Sequence, residues 1–239
     1  YPMNALVEDQ VSRLRKALDS SEVRLALDDA LGGNRIRFGR YNGNTPVAGH
    51  PVDAEGGVNK KKIDECNGLI DEAIKESDAI DALLAKQKAL LDDALVLAGQ
   101  VTDGHEDVQQ DAVRLAKESY QKALQARFFV PNMSINSAEM YYRWEMQRSP
   151  PDILITNTSM LSIMLMRQRN PAWSDDTGDS DIFEETKTWL QENKDHVFQL
   201  VVDELHLYRE SAGTETAYLV RLLLDRLGLS PGDKQLRIL

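Results

Sequence analysis

The sequence predicts an α/β fold, a parallel sheet flanked by helices, with an inserted α-helical hairpin of coiled-coil type. Three observations carry this. The apolar run at 197–202 reads as a strand buried on both faces, and it ends in two carboxylates, Asp203 and Glu204. A second run, at 151–157, also ends in polar residues, and helical patterns lie between the two; strands alternating with helices build parallel sheets. From Ile63 onward, Ile63, Cys66, Ile70, Ala73, Ser77, Ile80, Leu84, Gln87, Leu91, Ala94 and Ala98 keep a three-four alternation, the seam of a long coiled-coil helix.

Each element follows from local pattern. Val7, Val11, Leu14 and Leu18 line one face of a helix over 5–18, with Asn4 as its N-cap. Gly32-Gly33 precedes a short strand at 35–38, and a loop rich in Gly, Asn and Pro runs from 39 to 57. The seam helix carries Leu69, Leu83, Leu90 and Leu97 on its flank. A turn at Thr102-Asp103-Gly104 leads to a second helix over 106–127, with Val108, Ala112 and Leu115 among the apolar candidates for its inward face. Further helices are expected at 159–169 and 183–194, separated by an acidic loop at 173–181. A last helix carries Ala217, Leu219, Leu222, Leu223 and Leu227 and is closed by Gly228, and a final strand lies at 235–239. This divides the chain into a first part of the α/β domain (1–57), the hairpin (58–128) and the continuation of the α/β domain (129–239).

Composition excludes several classes. At 42% hydrophobic and 28% charged, the 239 residues resemble an ordinary soluble domain. No apolar run approaches the ~20 residues that span a bilayer, so no membrane partner is expected. A single cysteine, Cys66, excludes an intrachain disulfide, and residues 1–4 lead into an amphipathic helix and not a signal pattern; both suit the cytoplasm. His50, His105, His196 and His206 are scattered, which counts against structural zinc. The net charge of −11 counts against a simple nucleic-acid-binding module. Motor domains, however, can grip phosphates with backbone amides and a few polar side chains.

The chemistry concentrates at 203–206. Nucleotide hydrolysis needs one carboxylate to hold Mg²⁺, usually through its water shell, and a second to orient or deprotonate the attacking water. Asp203 suits the first role and Glu204 the second. The bland alternative is a polar loop that starts the next helix.

The segments together resemble the first RecA-like domain of superfamily 2 DExH helicases, with the nearest likeness to large bacterial phage-defence helicases such as those of the DISARM and Druantia systems. Residues 1–10, with Asn4, are similar to motif Ia, which enters from a strand and touches the tracked nucleic-acid strand. Arg40-Tyr41-Asn42-Gly43 resembles a further segment of that surface. Residues 149–161, with Thr156 and Asn157, resemble motif Ib, and Asp203-Glu204-Leu205-His206 resembles motif II, whose histidine would couple the nucleotide site to neighbouring motifs. The likeness covers roughly 1–45 and 135–239. It implies an RecA-like parallel sheet, ATP and Mg²⁺ as cofactors, Asp203, Glu204 and His206 as catalytic residues, and Asn4, Arg40, Thr156 and Asn157 as nucleic-acid contacts. It further implies DNA, single-stranded or duplex, as partner, together with partner subunits of a defence complex.

The departures are specific. The chain contains no Gly-x-x-x-x-Gly-Lys-Ser/Thr phosphate loop, no motif III and no second RecA-like domain. It is therefore expected to be part of a longer polypeptide and inactive in isolation. Asn4 stands where many relatives carry a basic residue, and the hairpin departs from a minimal core. Thr156 and Asn157 could equally cap the following helix, and Arg40 could be an exposed loop arginine. Met160, Met164 and Met166 read as packing, as does the Tyr141, Tyr142, Trp144 cluster, whose alternative is stacking on a base. The competing function is a non-hydrolysing interaction scaffold that uses the hairpin.

Overall fold

The computed structural model describes residues 2–49, 51, 57–99, 106–167, 178–203 and 210–239. In chain order the elements are α1 (Pro2–Leu18), α2 (Ser21–Ala30), β1 (Phe38–Tyr41), α3 (Lys60–Ala98), α4 (Glu106–Arg127), β2 (Glu139–Met140), α5 (Arg143–Arg148), β3 (Ile153–Thr156), α6 (Thr158–Met166), α7 (Asp179–Glu192), β4 (Phe198–Leu200), α8 (Glu210–Leu227) and β5 (Leu236–Ile238). The chain divides into two compact units, Tyr1–Ile36 with Asn67–Glu139, and Arg37–Cys66 with Met140–Leu239. From Asn67 onward the hairpin thus groups with the first two helices, while its residues before that fall in the second unit.

In the first unit, α1 buries Val7 and Val11 as the sequence spacing requires. The helix begins at Pro2, so Asn4 lies inside it and is not its N-cap. Proline at a first helical position supplies a preset φ and gives up an N–H that would have no partner there, which moves the start upstream. Helix α2 was not anticipated. It is ten residues long and buries no residue. Two buried polar contacts hold this unit's segments together. Arg15 donates through Nε and Nη2 to both carboxylate oxygens of Glu139, each at 2.7 Å, and Arg15 and Glu139 are both buried. The Asp19 carboxylate accepts from Ser137 Oγ at 3.0 Å and from the Ala138 amide at 2.8 Å.

Helix α3 is 39 residues long. Its expected seam is borne out: Cys66, Ala73 and Ser77 are buried, and Ile63, Ile70, Ile80, Leu84, Gln87, Leu91, Ala94 and Ala98 are half-buried. The facing side of α4 differs from expectation. Val108, Ala112 and Leu115 are all exposed, and the inward set is Val113, Ala116, Tyr120, Ala123 and Leu124. Both sets have three-four spacing, but the stripe through Val108 and Leu115 runs into Ser119 and Lys122, whereas the other stays apolar as far as Leu124. Asp81 pairs with Arg127 Nε at 2.6 Å across the base of the pair. Farther out, Leu91, Leu95, Val113, Lys117, Tyr120, Gln121 and Leu124 line a cavity of about 380 Å³.

The second unit is mixed α/β with short parallel strands. Phe38 pairs with Ile153, Arg40 with Ile155 and Tyr41 with Thr156, all parallel. Strand β1 sits between β2 and β3, and β4 pairs in parallel with β5, Phe198 with Leu236 and Leu200 with Ile238. Among the described residues these are two separate sheets and not one continuous sheet. The run at 197–202 is accordingly not buried on both faces. Phe198 and Leu200 are half-buried, Gln199 is exposed and Val201 is 67% exposed, because β4 has a strand neighbour on one edge and helices over one face. Strand β1 forms three residues later than expected, at 38–41 in place of 35–38. The buried positions Phe38 and Tyr41 set the register, while Arg35 is drawn into an ion pair with Asp28.

One core joins the strands and helices of this unit: Tyr41, Met140, Met146, Met160, Met164, Ile182, Phe183, Leu190, Leu223, Leu224, Leu227 and Leu229. Met160 and Met164 pack as the sequence suggested, whereas Met166 points outward at 71% exposure. Trp144 is buried, with Nε1 donating to Gly49 O at 2.8 Å, so it serves packing and not an exposed stacking platform. Gly39 makes β1 possible. A Cβ there would meet Met146 Sδ at 2.5 Å and Met140 O at 3.0 Å. Gly228 closes α8 at φ +70°, with Leu229 N donating to Leu224 O at 2.8 Å and Gly228 N to Asp225 O at 3.0 Å, a Schellman pattern. No helix among the described residues is long and apolar enough to cross a membrane.

Candidate functional site

Parallel pairing brings the carboxyl ends of β1 and β3 side by side, with Arg40 opposite Ile155 and Tyr41 opposite Thr156. Ligands of open α/β sheets bind outside such strand ends. The chain leaves β1 through a tight turn. Asn42 N donates to Thr45 Oγ1 at 2.9 Å, Asn44 N to Asn42 Oδ1 at 2.9 Å, and Thr45 Oγ1 to Arg40 O at 2.8 Å. Arg143 braces this turn by donating through Nη2 to Asn42 O at 2.9 Å. Arg40 itself is half-buried on β1, neither a loop residue nor fully exposed.

At the end of β3, Thr156 Oγ1 donates to Tyr41 O at 2.7 Å, which cross-links the two strand ends. Asn157 is the N-cap of α6: its Oδ1 accepts from Met160 N at 2.8 Å. The single hydroxyl hydrogen of Thr156 is therefore spent within the fold. A phosphate at this position would be met by the Asn157 side-chain NH₂ and by backbone N–H groups of the first turn of α6, where the helix dipole favours an anion.

Beneath these ends lies a buried polar cluster that no sequence motif announced. The Tyr41 hydroxyl donates to Asp179 Oδ1, and Gln147 Nε2 donates to both Tyr41 Oη at 2.7 Å and Asp179 Oδ1 at 2.9 Å. Arg167 Nη1 reaches Asp179 Oδ2 at 2.6 Å. Burial, and next to it the Asp179 charge, push the Tyr41 phenol well above its ordinary range, so it stays protonated and remains a donor. The residues come from 41, 147, 167 and 179, too far apart in sequence for any local pattern to join them.

Asp203 lies in the turn that follows β4, three residues beyond Leu200, and is exposed. The backbone leading to it is tied to the neighbouring strand by Leu239 N to Leu200 O at 2.9 Å and Val202 N to Leu239 O at 3.0 Å. Glu204 and His206 lie outside the described residues. Asn4 belongs to the first unit, where its backbone is helical. No three His, Cys, Asp or Glu side chains are grouped as a metal cage among the described residues. A Mg²⁺ ion held through water by one carboxylate and by the phosphates of its nucleotide needs no such cage, and an exposed carboxylate past a strand end fits that mode.

Comparison with known proteins gives one relative. The chain is similar to Druantia protein DruE of Escherichia coli (strain UMEA 4076-1). The two are 32% identical over 246 residues, which cover 96% of this chain and 12% of the relative. The chain therefore spans about an eighth of the length of the protein it matches. No family model and no solved structure matches it.

Proposed function

We propose that this chain is the larger part of the first motor domain of an ATP-dependent DNA helicase or translocase that serves bacterial anti-phage defence. The observation that carries the reading is the order strand, Asp203-Glu204-Leu205-His206, helix, in which β4 ends just before the acidic pair and α8 follows. Similarity to a Druantia protein along almost the whole chain supports the defence context.

In this reading Asp203 holds the metal's water shell, Glu204 orients the attacking water and accepts its proton, and His206 links the nucleotide site to the nucleic-acid surface. When bound, Mg²⁺ would neutralise charge that develops on the phosphoryl oxygens. Arg40 and Asn157 would hold the phosphate backbone at the β1 and β3 ends, with Thr156 fixing the two ends relative to each other. Asn4 would add a contact from α1.

The test is Glu204→Gln in a full-length protein that carries this chain. The amide keeps the shape and loses the base, so ATP should still bind while DNA-stimulated turnover falls by about 10²–10⁴-fold, the usual worth of a general base. Turnover within a few fold of wild type, measured with DNA present, would refute the assignment.

A further inference from the structure

The buried Asp179 carboxylate holds two elements at once. Asp179 is the first residue of α7, its side chain is only 2% exposed, and its two oxygens face different parts of the fold. Oδ1 accepts from the Tyr41 hydroxyl at the end of β1 and from Gln147 Nε2 on α5 at 2.9 Å. Oδ2 accepts from Nη1 of Arg167, the C-cap of α6, at 2.6 Å. One oxygen thus grips β1 and the other grips the far end of α6.

These bonds close a circuit. From Asp179 it runs through the Tyr41 side chain to the Tyr41 carbonyl, which accepts from Thr156 Oγ1 at 2.7 Å. It continues from Thr156 along α6, whose N-cap is Asn157, and returns through Arg167 to Asp179. A helix is stiff over the roughly 15 Å that separate its two caps, so restraining the Arg167 end aims the Asn157 end. Arg40 precedes Tyr41 on β1, so Arg40 and Asn157 sit on the two arms of one circuit. Gln147 braces the corner by donating also to Tyr41 Oη at 2.7 Å, which leaves its own buried Oε1 without a partner among the described residues. An unpaired buried carbonyl costs stability, and a buried carboxylate contributes less to it than apolar packing would. What the cluster supplies is a fixed direction for each arm.

We propose that Asp179, with Arg167 as its partner, is a positioning residue for the nucleic-acid surface. It sets the angle between the β1 end and α6, so that Arg40 and Asn157 meet one phosphate backbone together. The proposal rests on the reading of Arg40 and Asn157 as phosphate contacts. Asp179 and Arg167 act through the elements they hold and not by touching the nucleic acid. Loss of either arm frees α6 to shift against β1, and two contacts that no longer fit one strand at the same time bind it more weakly.

The test follows ATP turnover by a full-length protein that carries this chain, over a DNA concentration series at fixed salt. Arg40→Ala and Asn157→Asp should raise the DNA concentration that gives half-maximal turnover, which checks the contacts themselves. Asp179→Asn should raise it by about 3–30-fold while turnover at saturating DNA is kept. Asparagine accepts on one side only, so one arm is lost whichever way the amide turns. Charge alone predicts the opposite sign, because the substitution removes a negative charge from a chain of net charge −11. Arg167→Gln alters a side chain that is 56% exposed, so it tests the same arm even where Asp179→Asn does not fold. It should weaken DNA activation likewise, Arg167→Lys should restore most of the loss, and the double variant should be no worse than the weaker single one. If Arg40→Ala and Asn157→Asp weaken activation but Asp179→Asn and Arg167→Gln do not, the proposal is overturned and the phosphate contacts stand. If the contact variants have no effect, the contacts fall and the proposal with them. A drop in saturating turnover at an unchanged half-maximal concentration marks a partly unfolded enzyme and overturns the proposal as well.

Discussion

At the scale of single residues, Tyr41 shows how a strand-end residue gains significance from partners far away in sequence. Its hydroxyl and the Gln147 amide converge on one oxygen of Asp179, and Arg167 takes the other. Tyr41→Phe removes a buried donor and leaves the carboxylate with fewer partners, so it should cost about 1–3 kcal/mol, read from the urea midpoint of the isolated chain. The phenol also makes stability depend on alkaline pH. Its pKa is raised on folding, so its contribution is complete below the unfolded value of 10.0 and is lost as the pH climbs above it, because only the unfolded chain then ionises. The wild-type midpoint should fall as the pH passes 10, and Tyr41→Phe should fall less.

Asn157 poses a different question at the same scale. Its carbonyl oxygen caps α6, while its NH₂ group is the part a phosphate would use. Asn157→Asp preserves the cap, since aspartate is as good an N-cap, but replaces a donor by a negative charge. In a full-length protein, thermal stability should hold within about 0.5 kcal/mol while DNA affinity drops. Unchanged affinity would reduce Asn157 to a cap alone.

At the scale of elements, the long periodic helices were the most legible. The seam of α3 appears residue by residue because one three-four period runs through eleven positions, longer than the flanking row of leucines. Helix α4 carries two stripes that share a spacing over its first turns, and the one that turns inward is the one that stays apolar as far as Leu124. Strand β1 was displaced by three residues because an apolar pattern of four positions does not reveal which residues a distant segment will cover. Gly39, read in the sequence as the start of a loop, is the point where β1 passes closest to Met146 and the Met140 carbonyl. Gly39→Ala should overpack that crossing and destabilise the chain by about 1–3 kcal/mol, measured by chemical denaturation. The Arg15–Glu139 pair was invisible in sequence, its partners being 124 residues apart. Arg15→Ala leaves a buried carboxylate unpaired and should cost about 3–5 kcal/mol, whereas replacing both partners by apolar residues should cost much less.

At the scale of the whole molecule, acidity and the lack of a phosphate loop shape what the chain can do unaided. Its sequence holds no phosphate loop, and its net charge of −11 repels nucleic acid except where local donors are arranged to receive it. The purified 239-residue chain should therefore hydrolyse no ATP above buffer, with or without DNA, in a phosphate-release assay. Robust magnesium-dependent hydrolysis would mean that the phosphate-binding residues have been misidentified. The candidate site was legible in sequence only as strand ends and polar tails. Which tails are already committed to holding the fold, as the Thr156 hydroxyl is, could be learned only from the packed strands.

Burial along the two helices falls toward the tip of the hairpin: Ala73 and Ser77 of α3, the latter accepting from Met133 N, and Ala123 of α4 are buried, whereas beyond Leu91 the seam is only half covered and a cavity opens between the helices. A helix pair built this way breathes from one end. Its amide hydrogens should exchange with solvent in a gradient, slowest near 73–77 and fastest beyond 91, since local opening costs least where few apolar contacts must be broken. The base behaves as a clamp and the tip as a reporter, so a molecule that settles on the tip should flatten that gradient before it changes anything else.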